Sequence, residues 1–157
     1  MSSSATPANE IPFIAGLCLR VYDVSDVSFA HLTLPTQEVE RTAAFLEKTL
    51  GYRRLPVPTN SPVELVWFDL GRGQEMHVFY VDGFSVSPFE NEFGRHVALF
   101  YPLSQFEALK QRLQSEGADL FAPLRATPFE RFFFREPVNG YVFEVIDNAR
   151  GTTTIAR

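Results

Sequence analysis

The chain has 157 residues, 45% hydrophobic and 21% charged, which suits one globular domain with a real core and leaves too little for two ordinary ones. A formal net charge of −5 with no cluster of Lys and Arg argues against a nucleic-acid partner, because a phosphate-binding face needs concentrated positive charge. The single cysteine, Cys18, rules out a disulfide framework, and no apolar run approaches the ~20 residues that span a bilayer.

Residues 1–26 read as a small, polar tail followed by an extra strand over 13–22. The start lacks the basic residues of a secretory leader, so a cytoplasmic location is expected. Phe29-Ala30-His31-Leu32-Thr33-Leu34 then reads as a strand, with His31, Thr33 and Pro35 on one face and Leu32 and Leu34 on the other. From Thr36 the period changes to that of a helix: Val39, Thr42, Ala43, Leu46 and Leu50 recur at helical spacing, and Gly51 is placed to end it. Strands are expected over 53–57, 63–70 and 75–81, separated by Pro58-Thr59-Asn60-Ser61-Pro62 and by Gly71-Arg72-Gly73-Gln74.

After a linker over 82–94 the same order returns. A strand over 96–101 leads to a helix marked by Phe106, Leu109, Lys110 and Leu113 and ended by Gly117, then strands over 120–124, 131–135 and 141–146. The chain thus reads as strand, helix and three strands, twice: module one over 27–83, module two over 92–148, and a short tail over 149–157. The repeat also aligns residues of metal-ligating type. His77 lies 46 residues after His31 (77 − 31), and Glu144 lies 48 after His96 (144 − 96). These are the only three histidines in the sequence, and Glu144 sits in Val142-Phe143-Glu144-Val145-Ile146, where an unpaired carboxylate is costly to bury.

The segments His31-Leu32-Thr33-Leu34, Leu50-Gly51-Tyr52, Glu75-Met76-His77-Val78-Phe79, Gly94-Arg95-His96-Val97-Ala98-Leu99 and 132–144 together resemble the vicinal oxygen chelate superfamily. That superfamily takes in glyoxalase, bleomycin-resistance and extradiol-dioxygenase proteins. The resemblance implies an α+β fold of two βαβββ modules forming a cup-shaped mixed sheet around a divalent metal. In glyoxalase-like members the ligands come from the first and last strands of each module, which here are His31, His77, His96 and Glu144. Extradiol dioxygenases and fosfomycin-resistance enzymes use three of the four places, here His31, His96 and Glu144. One departure stands out: the family's Asp-Pro-Asp-Gly turn is replaced by the longer Glu136-Pro137-Val138-Asn139-Gly140. The family also implies a homodimer.

Imidazoles with one carboxylate suit Zn, Ni, Co, Mn or Fe. Such an ion would bind the adjacent oxygens of a small substrate and stabilise an enediolate, with Glu144 and His77 as the groups that move protons. Arg125 and Arg131, around Ala126-Thr127-Pro128-Phe129, are expected at the cup mouth as clamps for a substrate anion. Glu75, two residues before His77, shares its face and is a candidate base or orienting group. The expected function is a metal-dependent lyase or isomerase. Two alternatives are an Fe(II) extradiol-type dioxygenase and a non-enzymatic drug-binding protein of the bleomycin-resistance kind.

Overall fold

The computed structural model of the protein describes residues 28–149; the strand expected over 13–22 and Cys18 lie outside the described residues. Module one comprises β1 (His31–Thr36), α1 (Val39–Leu50), β2 (Arg53–Leu55), β3 (Leu65–Gly71) and β4 (Gln74–Tyr80). Module two repeats it with β5 (Val97–Tyr101), α2 (Phe106–Ser115, entered through the 3₁₀ turn Leu103–Gln105), β6 (Asp119–Phe121), β7 (Arg131–Arg135) and β8 (Val142–Asp147). Each module folds into a four-stranded sheet of the same order, β1-β4-β3-β2 and β5-β8-β7-β6, in which only the first pair is parallel. The two-module α+β architecture expected from the repeat is the one observed.

The first helix starts three residues later than the spacing predicts. Thr36 stays in β1, where it pairs with Tyr80, and its Oγ1 accepts the N–H of Glu38 at 2.9 Å. A side-chain turn of this kind competes with helix initiation and defers α1 to Val39. Both helices end as expected. Gly51 takes φ 73° and Gly117 φ 86°, left-handed values that cost glycine little.

Strand alternation divides each sheet into two faces. Leu34, Val66, Phe68, Met76 and Val78 in module one face α1, which buries Val39, Ala43, Phe45 and Leu46 against them. In module two Phe132, Phe134, Phe143 and Val145 join Phe106, Leu109 and Leu113 of α2. All of these belong to one core, because α1 and α2 also touch each other. Phe134 carries much of it, stacked on Phe143 at 5.0 Å and tilted against Phe45 of module one at 6.2 Å.

Polar contacts fasten the same junction. Asn139, in the lengthened turn, accepts from Thr36 Oγ1 at 2.6 Å and donates to Thr42 Oγ1 at 2.9 Å, while Tyr141 donates to the carbonyl of Pro35 at 2.7 Å. The extra residue of that turn is absorbed locally. The buried Glu136 carboxylate accepts the N–H groups of Val138 (2.7 Å) and Asn139 (2.8 Å), and Gly140 closes the turn at φ 92°. Glu144 therefore keeps its place, opposite Ala98 and Phe133.

The helix-facing sides of both sheets are spent on the shared core, so their other sides face away from it. Those outer faces carry the residues singled out by the repeat.

Candidate metal centre

On the outer face of module one His77 is the middle ring of a stack. The His31 ring lies 4.3 Å from it and the Trp67 ring 4.4 Å on the other side, each within 12° of parallel. Sheet register builds the stack, since Thr33 and Trp67 flank His77 on the neighbouring strands and His31 starts β1 one step away. The His77 side chain is only 10% exposed, and its Nε2 donates to Glu75 Oε2 at 2.7 Å. Imidazole lone pairs lie in the ring plane. Two nearly parallel rings stacked 4.3 Å apart therefore do not converge on one ion.

On the outer face of module two, His96 precedes β5 and Glu144 lies in β8, with His96 Nε2 3.3 Å from Glu144 Oε2. The other nitrogen of His96, Nδ1, lies 3.3 Å from the carbonyl oxygen of Asn91, which only accepts, so Nδ1 carries the proton. Nε2 faces the carboxylate oxygen at hydrogen-bond distance, donating to it when protonated and turning a lone pair toward the same spot when not. An unprotonated imidazole nitrogen beside a carboxylate oxygen is a pair of metal-type donors, and a carbonyl partner on the far nitrogen is how metal-binding imidazoles are oriented. Phe133 completes the surround, edge-on to His96 at 5.5 Å and stacked on Phe121 at 5.3 Å.

Arg131 is buried behind this pair, its side chain 2% exposed. It donates through Nη1 to Glu144 Oε1 at 2.6 Å and through Nη2 to Glu92 and to the carbonyl of Arg125 (2.7 Å). Burial works against its charge, yet the hydrogen bonds and charges of Glu144 and Glu92 raise its pKa. For Glu92 burial pushes the pKa up, but the N–H of Leu124, Arg131 and the N–H of Arg125 outweigh it and hold the carboxyl below its usual value. Arg125 is exposed, tied in only through its backbone. Of the two arginines expected as clamps at the cup mouth, Arg131 is thus buried and Arg125 exposed.

The structure brings the four repeat-aligned residues together as two pairs, His31 with His77 and His96 with Glu144. Among the described residues no three His, Cys, Asp or Glu side chains gather where they could hold an ion. Sequence reasoning missed Phe133, hidden in a run of three phenylalanines, and Glu92, which meets Arg131 from 39 residues away in the irregular linker. Alternation from Arg131 along β7 would have found the first; no local pattern reveals the second.

The duplicated arrangement is the fold of solved fosfomycin resistance proteins and of a possible glyoxalase. No family sequence model matches the chain and no curated protein matches it in sequence. Among solved structures, the fosfomycin resistance protein FosX of Listeria monocytogenes superposes with a TM-score of 0.62 at 17% identity, over 83% of this chain and 95% of that one. FosX of Mesorhizobium loti gives 0.61 at 18% identity over 82% and 93%. A protein described as a possible glyoxalase from Bacillus cereus gives 0.58 at 20% identity over 76% and 97%. One structure of a Listeria FosX variant, similar at a TM-score of 0.62 and 17% identity over 86% of this chain and 93% of that one, holds Mn(II) and 1S,2S-dihydroxypropylphosphonic acid. At these identities the likeness is one of fold. Among the described residues no helix is long and apolar enough to cross a membrane.

Proposed function

We propose that the chain is a divalent-metal-dependent enzyme acting on a small substrate with two adjacent oxygens. In this reading His31, His96 and Glu144 are the ligands, and each site is assembled between two copies of the chain. The observation that carries the reading is the pair His96 Nε2 and Glu144 Oε2, a ring nitrogen and a carboxylate oxygen 3.3 Å apart, with the far nitrogen of the ring held by the Asn91 carbonyl. That is the spacing of neighbouring donors each ~2.1 Å from one ion.

Two donors do not make a site, and among the described residues His31 is not gathered with them. A second copy supplies it. Support comes from the strand edges: among the described residues β1 and β5 are both outermost in their sheets and flank an apolar groove of about 700 Å³ lined by Leu32, Leu50, Tyr52, Met76, Val97 and Leu99. Phe29 and Phe100 beside it are 53% and 60% exposed. Open edges with apolar flanks are surfaces that proteins ordinarily cover.

When bound, a divalent ion would polarise the two substrate oxygens and stabilise negative charge developing on them. His96, fixed by Asn91, and Glu144, held at Oε1 by Arg131, offer one donor atom each. His77 is oriented by Glu75 and clamped between rings, which suits it to hold or move a proton rather than to share an ion with His31. Isomerisation or lyase chemistry needs this division between an ion that holds the oxygens and a base that moves the proton. The three-ligand set favours a second reading, an Fe(II) dioxygenase, because two His and one carboxylate leave positions open for O₂ and substrate.

Metal content of protein purified without chelator or affinity tag tests the proposal. Stoichiometric Mn, Zn, Ni or Co supports the lyase or isomerase and directs assays to 2-oxoaldehyde adducts, with 1S,2S-dihydroxypropylphosphonic acid as a binding probe. Stoichiometric iron puts the dioxygenase first. No metal, and none taken up on titration, overturns both and leaves a drug-binding protein.

A further inference from the structure

We propose that Arg131 is a positioning residue: by occupying Oε1 of Glu144 it leaves Oε2 as the single oxygen presented to the ion beside His96. The inference rests on the metal-site reading above.

A carboxylate binds a metal through one oxygen or both, and binding through both closes a coordination position that a chelating substrate needs. Arg131 settles that choice by geometry. Its guanidinium is gripped by acceptors from three segments: Glu144 on β8, Glu92 on the linker, and the carbonyl of Arg125 in the loop before β7. It lies 5.3 Å from the centre of the Phe133 ring, and with its side chain 2% exposed it is shielded from any substrate. A fork pinned this way has no freedom to follow Glu144 to another position, so the carboxylate must stay where the fork holds it.

Stability alone does not explain the cluster. A buried pair or triad of charges is often no better than apolar packing of the same volume. As a ligand support the charge count is apt: Glu144 and Glu92 contribute two negative charges against one from Arg131 (−2 + 1 = −1), leaving one to meet a cation. The far oxygen of Glu144 is held much as the far nitrogen of a metal-binding imidazole is held.

The sign of one substitution separates positioning from bare charge. Removing a cation next to a metal ligand should tighten cation binding if charge alone mattered, whereas losing the fork should weaken it. We expect Arg131→Met to weaken Mn(II) binding by about ten- to a hundredfold, followed by the electron paramagnetic resonance signal of free Mn(II). The visible spectrum of the Co(II)-loaded protein should shift with the change in coordination. Arg131→Lys should recover part of the affinity, since an ammonium can still hold Oε1. Should Arg131→Met fail to fold, Arg131→Met combined with Glu92→Gln removes both members of the buried pair and gives the same reading. Unchanged or tighter Mn(II) binding with an unaltered Co(II) spectrum overturns the positioning role. Glu144→Gln separates the two failures. If it abolishes Mn(II) binding while Arg131→Met does not, only the inference about Arg131 falls; if it too has no effect, the metal-site reading falls with it.

Discussion

Module one and module two share a strand order and a helix-facing core, yet use their outer faces in different ways. In module one the face is a stack of rings, Trp67 on His77 on His31, with Glu75 at its edge. In module two the face is a chain of charges, in which Glu144 is held by Arg131 and Arg131 by Glu92. A ring is oriented by packing and needs no counter-charge, so a stack of flat surfaces fixes a histidine directly. A carboxylate facing an apolar surround has to be paired before it can be held still. The buried carboxylate of module two is therefore met by a buried guanidinium, whereas Glu75 in module one stays partly exposed and accepts only a ring N–H.

The comparison breaks most completely if the faces work in trans. His31→Ala and Glu144→Gln should each cut metal affinity more than about a hundredfold without unfolding the protein, which Mn(II) titration and thermal melting would check. Mixed and reassembled, the two inactive variants should regain about a quarter of wild-type activity, because half the dimers are mixed and each has one intact site. A mixture that stays inactive would place each site within one chain.

Loosening the joint between modules comes next. Asn139→Ala leaves Thr36 and Thr42 without their shared partner and should cost about 1–3 kcal/mol of stability, measured by urea unfolding, with metal affinity retained. Thinning the stack should do less: Trp67→Leu is expected to weaken metal binding by only about three- to tenfold, read by the same titration. The smallest effect is the pH dependence that Glu92 carries. Because the folded state holds Glu92 below its ordinary value of 4.5, the stability it contributes is present above that pH and is lost as pH falls through the lowered value. Glu92→Gln should therefore differ from wild type in stability at neutral pH and converge on it in acid.

Much of this was legible in the residues, for identifiable reasons. Strand faces follow from alternation, so His31 with Thr33 and Glu75 with His77 could be placed on shared faces, and the repeat pointed to His96 and Glu144. The boundary at Thr36 was misplaced because its pairing with Tyr80 is a contact across the module, invisible to a local pattern. Arg131 was expected as a clamp at the cup mouth; that it is buried against Glu144 and Glu92 depends on how the linker folds over β7, which composition does not reveal. Alternation says that His31 and His77 share a face; it does not say that their rings lie parallel.

In the proposed site, the separation of His31 from the His96–Glu144 pair has a thermodynamic consequence. When neither alone suffices to hold an ion, loading and association become one equilibrium, and linkage makes their coupling reciprocal. The factor by which pairing of two chains tightens the ion is the factor by which the ion tightens the pair. Dilution should strip metal, chelation should loosen the assembly, and the apparent melting temperature of the metal-loaded protein should climb with protein concentration.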